Sequence, residues 1–121
     1  MKVLVADDSQ TMRKIVVQML RQIGYADIRE AEDGQQALEL LQSEGDFGLL
    51  LTDWNMPRLS GLDLTLAVRA DARLARLPIL MVTTRTQKRD IVAAMKAGAD
   101  NYVTKPFLLP TLEERIRRVL G

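Results

Sequence analysis

Three short stretches of this chain are apolar without interruption: Val3-Leu4-Val5-Ala6, Leu49-Leu50-Leu51 and Ile79-Leu80-Met81-Val82. A strand with one wet face alternates apolar and polar residues, so runs without alternation predict strands covered on both faces. Between these runs the period changes. From Ser9, a candidate N-cap, apolar residues fall at Met12, Ile15, Val16, Met19, Leu20 and Ile23. Those are helical steps of three and four, and Gly24 stops the helix. A weaker strand at Ile28–Ala31 precedes Asp33-Gly34 and a helix with Ala37, Leu38 and Leu41 turned inward. After the third strand, Thr52-Asp53 opens a loop punctuated by Pro57 and Gly61, and a helix runs from about Leu62 to Ala70. Pro78 precedes the fourth strand, Thr83-Thr84 end it, and a helix through Ile91, Ala94 and Met95 stops at Gly98. Tyr102-Val103-Thr104 reads as a fifth strand closed by Lys105-Pro106. Pro110 stands in the first turn of a last helix carrying Leu112, Ile116, Val119 and Leu120.

Strands and helices therefore alternate along the chain. Such alternation requires right-handed crossovers, a parallel sheet and helices on both of its faces, which is a three-layer α/β fold. The length of 121 residues fits one domain, 1–121. Met12, Met19, Met81 and Met95 fall at core positions, and Arg115, Arg117 and Arg118 read as a solvated helix end, favourable to the helix dipole.

In a parallel sheet, ligands bind beyond the carboxyl ends of the strands, where the strand order reverses. Four strand ends carry chemistry: Asp7-Asp8 after the first, Asp53 after the third, Thr83-Thr84 at the fourth and Lys105 after the fifth. Clustered acids repel one another and cost stability unless something compensates them. Composition narrows the chemistry. The chain has no His and no Cys, which removes imidazole bases, thiolate nucleophiles, disulfides and Cys-ligated metals. Close carboxylates without His call for a hard cation such as Mg²⁺, and an Asp beside a metal, a Lys and a hydroxyl is a workable phosphoryl acceptor. With 17 Lys plus Arg against 16 Asp plus Glu, charge gives no reason to expect a nucleic-acid or anionic-membrane partner. No apolar run approaches the roughly 20 residues of a membrane span. Met1–Asp8 reaches two acids too soon for a signal-peptide core, so a cytoplasmic chain is expected.

Asp7-Asp8-Ser9, Asp53, Met56-Pro57, Gly61, Val82-Thr83-Thr84, Gly98-Ala99 and Lys105-Pro106-Phe107 together resemble the response-regulator receiver domain of two-component signalling. The likeness covers essentially the whole chain. Thr52–Pro57 and Leu80–Thr83 are most similar to the single-domain chemotaxis receivers that bind the flagellar motor switch. The resemblance implies a doubly wound, flavodoxin-like α/β fold of five parallel strands in the order 2-1-3-4-5, flanked by five helices. It implies that Asp53 accepts a phosphoryl group from a histidine kinase. Asp8 and Asp53 would hold Mg²⁺ through side chains, Asn55 through its backbone carbonyl and Asp7 mainly through water. Lys105 would contact the phosphoryl group, and the Thr83 hydroxyl would move to it once Asp53 is modified. Tyr102 would then turn inward, with Thr84, Arg85 and Lys88 on the surface that switches and interacts. The downstream protein target would dock on the face of the fourth helix, fifth strand and fifth helix. The domain would be a phosphoacceptor switch with self-catalysed phosphorylation and dephosphorylation, rather than an enzyme. Lys105-Pro106 matches a bond that the family usually keeps cis.

Read alone, Tyr102 also fits a half-buried strand residue with its hydroxyl in water, and Trp54 reads as an exposed indole beside Asp53. Arg85 departs from the chemotaxis pattern, which carries Glu there; Thr84 replaces a small Ala, and Ser9-Gln10 an aromatic-Ser pair. Flanking the approach to Asp53 with Asn55, Arg85 is expected to lengthen the phosphorylated state, by pairing with phosphoryl oxygens or screening water, unless it swings into solvent. Alternatives are a receiver of a larger regulator with a non-motility output, a Mg²⁺-dependent phosphatase, a flavodoxin-like cofactor binder and a receiver-shaped module that is never phosphorylated.

Overall fold

In the computed structural model, which describes residues 1–121, the elements follow one another as β1 (Lys2–Ala6), α1 (Gln10–Ile23), β2 (Asp27–Ala31), α2 (Gly34–Glu44), β3 (Phe47–Thr52), α3 (Gly61–Ala70), β4 (Ile79–Thr83), α4 (Lys88–Ala97), β5 (Asn101–Thr104) and α5 (Leu109–Leu120). All strand pairs are parallel, in the order β2-β1-β3-β4-β5. The doubly wound, five-stranded sheet with five helices is thus as expected. No helix is long and apolar enough to cross a membrane.

Local chemistry starts and stops these helices. The side chains of Ser9, Asp33 and Ser60 accept from the backbone N–H groups of Met12, Gln36 and Asp63, satisfying donors that the first turns of α1, α2 and α3 leave unpaired. Gly98 ends α4 at φ 117°, a conformation in which a Cβ would be strained. At α5, Pro110 occupies the first turn, where a missing N–H costs nothing.

The uninterrupted strands divide their side chains between two cores. Val3 and Val5 of β1, Leu49 and Leu51 of β3, and Leu80 and Val82 of β4 meet Val16, Val17 and Leu20 of α1 and Leu112 and Ile116 of α5. Their neighbours Leu4, Leu50, Ile79 and Met81 point the other way, against Ala37 and Leu41 of α2, Leu64 and Val68 of α3 and Ala94 of α4. Burying each such Leu or Ile side chain stabilises the fold by about 1.5–3 kcal/mol. Two helix positions depart from the predicted stripe: Ile15 is 43% exposed and Met95 42%. Each lies at the margin of an apolar arc that Val16 with Leu20, and Ala94 with Ala97, already fill. Met81 alone of the four core-assigned methionines is fully buried; Met12 and Met19 are half-buried.

Strand order reverses between β1 and β3, which puts the carboxyl ends of these two central strands side by side. Gly61 then fixes the loop that follows β3. Its N–H donates to the Trp54 carbonyl at 2.7 Å, and a Cβ at this position would fall on the Asp53 carbonyl. Gly61→Ala is therefore expected to lower stability by about 1–3 kcal/mol in urea unfolding, the usual cost of overpacking, and to shift the amide resonances of Asp53 and Trp54.

Candidate functional site

Lys105, delivered by the end of β5, inserts its ammonium between two carboxylates. Nζ donates to Asp7 Oδ2 at 2.9 Å and to Asp53 Oδ2 at 3.2 Å. Each carboxylate is also oriented by the backbone: Asp7 Oδ1 accepts from Ser9 N–H at 2.9 Å, and Asp53 Oδ1 from Trp54 N–H at 2.7 Å. Asp7 is only 3% exposed, whereas Asp8 faces solvent. Burial pushes the Asp53 carboxyl above the usual carboxylate range; the Lys105 ammonium pulls against that shift and the Asp7 charge reinforces it.

The carboxylate oxygens of Asp7, Asp8 and Asp53 lie within 4.8 Å of one another. Three acids share one ammonium here, leaving an excess of negative charge, and every donor is a hard oxygen. Such a set fits a hard divalent cation arriving from the solvent side, where Asp8 sits.

Thr83 is fully buried at the end of β4, and its Oγ1 accepts from the Arg85 N–H at 3.3 Å. Thr84 is exposed, and so is Lys88, the first residue of α4. The Lys105-Pro106 bond is cis. Asn55 is exposed, with its side-chain oxygen taken by Arg85 Nη2 at 2.9 Å.

Three sequence readings need correction. Trp54 is not exposed: it is 7% accessible, packed among the residues under α3 and covered by the Arg85 guanidinium, 4.5 Å from the ring centroid. Tyr102 does not keep its hydroxyl in water; the ring is buried and the hydroxyl donates to the Arg85 carbonyl at 2.6 Å. Burial pushes this phenol up to about 12, and the Asp90 charge adds to the shift. Arg85, finally, does not swing into solvent. Besides Trp54 and Asn55, it reaches Asp90 of α4 at 3.5 Å.

Two supporting residues escaped the sequence reading. Arg13, buried on α1, donates from Nη1 to the Asp7 carbonyl at 2.7 Å and from Nε to Glu30 of β2 at 2.9 Å, clamping the loop that carries Asp7 and Asp8. A signal was available, because Arg13 lies on the same helical face as Val16, Val17 and Leu20. Asp90 gave none, since only the loop fold brings it to Arg85.

Fold and edge together define a doubly wound α/β domain with an acidic cluster at the topological switch point. The profile of the response regulator receiver domain matches residues 3–117, and the chain belongs to that family. Its members are signalling switches rather than classical enzymes, and the match displaces the phosphatase and cofactor-binder alternatives. Over 121 residues the chain is 48% identical to the chemotaxis protein CheY1 of Helicobacter pylori, covering 100% of this chain and 98% of the relative. It is 48% identical over 119 residues to the chemotaxis protein CheY of Pseudomonas aeruginosa, covering 98% and 95%. The solved structure of chemotaxis protein CheY4 of Vibrio cholerae superimposes with a TM-score of 0.90 at 36% identity, covering 98% of each chain. A putative response regulator from Chloroflexus aurantiacus gives 0.92 at 31%, covering 98% and 96%.

Two stability effects follow from these charges. For Glu30, burial opposes the charge, but hydrogen bonds from Lys14 and Arg13 outweigh it and hold the carboxyl below its ordinary range. A lowered folded pKa stabilises above the unfolded value and loses that contribution as pH falls through the folded one. The urea midpoint of Glu30→Gln should thus lie below wild type at pH 7, and the gap should close progressively below about pH 4.5. Asp53 has the opposite sign: its raised pKa means the fold disfavours its charge, so Asp53→Asn should raise the urea midpoint at pH 7 without added metal.

Proposed function

We propose that this chain is a chemotaxis-type receiver, spanning residues 1–121, in which Asp53 takes a phosphoryl group from a histidine kinase in the cytoplasm and thereby controls a protein target. The observation that carries this reading is the Lys105 ammonium set between Asp7 and Asp53, with Asp8 in reach, in a chain similar to chemotaxis proteins over its full length.

In this reading a carboxylate oxygen of Asp53 attacks the phosphorus of a phosphohistidine, and the P–N bond breaks with its electron pair leaving on the imidazole. The product is an acyl phosphate. The transferring group spreads charge over its equatorial oxygens, so positioning and neutralisation do most of the work. Trp54 N–H fixes the carboxylate plane, and Lys105 neutralises one side. The side chains of Asp8 and Asp53 and the Asn55 carbonyl would hold Mg²⁺, with Asp7 contributing mainly through water, and the ion would supply further neutralisation. The Thr83 oxygen already accepts from Arg85 N–H, which leaves its own hydroxyl proton to donate to a phosphoryl oxygen. Rearrangement there alters the face of α4, β5 and α5. A groove of about 460 Å³ on that face, lined by Ile91, Tyr102, Phe107 and Arg115 among others, supports it as the docking surface for the target, the flagellar motor switch. The two surface residues Thr84 and Lys88 border the region that moves.

Incubation with acetyl phosphate and Mg²⁺, followed by intact mass and peptide mapping, tests the reading. Wild type is expected to gain one phosphoryl group on the peptide containing Asp53, only with the divalent ion present. Asp53→Asn should gain none, and label retained on Asp7 or Asp8 of that variant would refute the assignment. Lys105→Ala should slow transfer by at least about 10-fold, since loss of a charge-assisted contact of about 1.5–3 kcal/mol is one to two decades in rate.

A further inference from the structure

Arg85 is built into the two halves of the site at once. Its side chain belongs to the loop after β3: the guanidinium lies 4.5 Å over the Trp54 ring, and Nη2 donates to Asn55 Oδ1 at 2.9 Å. Its backbone belongs to the other half, where the N–H donates to Thr83 Oγ1 and the carbonyl accepts from the Tyr102 hydroxyl at 2.6 Å. Asp90 steadies the guanidinium from α4 at 3.5 Å. Arg85 Nε is buried without a hydrogen-bond partner. Leaving a charged donor unpaired is unfavourable, so stacking on Trp54 and the bonds of the two terminal nitrogens must hold the side chain where it is.

The resemblance led us to expect Tyr102 to turn inward only after Asp53 is modified, yet the ring is buried with both carboxylate oxygens of Asp53 on Trp54 N–H and Lys105. We propose that Arg85 is a positioning residue, a strut that ties the Trp54-Asn55 loop to Tyr102 and holds the tyrosine inward before any phosphoryl group arrives. The strut rests on the reading of Tyr102 as part of the switched face. Because it acts in the unmodified protein, its tests do not depend on whether Asp53 accepts phosphate.

Three measurements on unmodified protein check the strut. Trp54 is the only tryptophan, so acrylamide quenching reports the indole directly. Arg85→Ala is expected to raise the quenching constant at least twofold, and Arg85→Lys, which keeps a cation but not the fork to Asn55, by less. Ring resonances of Tyr102, labelled with ¹³C, should move toward exposed-tyrosine values in Arg85→Ala while those of Tyr25, the other tyrosine, stay put. Ionisation at pH 11 separates positioning from charge. Removing the guanidinium charge alone would keep the phenol protonated, because the Arg85 charge lowers its pKa. Releasing the ring to water returns it toward about 10, so Tyr102 should be mostly ionised in the variant and mostly protonated in wild type. Urea unfolding verifies that each variant is folded; should Arg85→Ala fail to fold, Asn55→Ala, which cuts one bond of the strut, is expected to shift Tyr102 in the same direction. A Tyr102 environment identical in wild type and Arg85 variants, or a wild-type ring that turns inward only with beryllium fluoride and Mg²⁺, overturns the proposal.

Discussion

One ammonium holds the carboxyl edge of this sheet together. Asp7 and Asp53 follow neighbouring parallel strands, so the topology forces two carboxylates into one small volume, and only Lys105 stands between them. Everything nearby serves that contact. β5 carries the lysine to the edge, Ser9 N–H and Trp54 N–H turn the two carboxylates toward it, and Arg13 pins the Asp7 loop from behind. Gly61 admits the backbone of the Asp53 loop where any side chain would collide.

The compensation is incomplete by design of the chemistry. A fourth charge, Asp8, joins the edge from solvent, and burial disfavours the Asp53 anion even with Lys105 beside it. The remaining negative charge favours a cation, for which the three hard oxygen donors in reach are suited. Groups whose charged form the fold disfavours commonly cluster at functional sites. The two apolar layers above and below the sheet supply what the edge loses, with the central strands buried on both faces.

Arg85 shows how a single departure rewires such an edge. A carboxylate in that place would be repelled by the acids and could not stack on an indole, whereas a guanidinium does both things the loop requires: it covers Trp54 and bonds Asn55. The result joins the loop after β3 to the loop after β4 through a side chain on one side and a main chain on the other. Tyr102 is then a reporter of both loops, since its hydroxyl ends on the Arg85 carbonyl.

Which parts of this were readable beforehand depends on how local the physics is. Uninterrupted apolar runs announced β1, β3 and β4, glycines at 24 and 98 announced helix ends, and Asp7, Asp8, Asp53, Thr83 and Lys105 were placed at strand ends because strand-then-loop is a property of a few consecutive residues. The sheet order followed from family resemblance, not from any residue spacing. The sequence was silent where burial is decided by residues far along the chain. Ile15 and Met95 sit at stripe margins that neighbouring residues had already filled. Trp54 reads as exposed until Arg85, more than thirty residues later, folds over it; the polarity of its own neighbours says nothing about that cover. So the amino-acid order by itself determined the elements, their two-sided burial and the inventory of charges at the edge. Only the tertiary structure decided which of those charges touch, because ion pairs, stacking and the seat of the Tyr102 hydroxyl act over a few ångströms between segments that the chain alone keeps far apart.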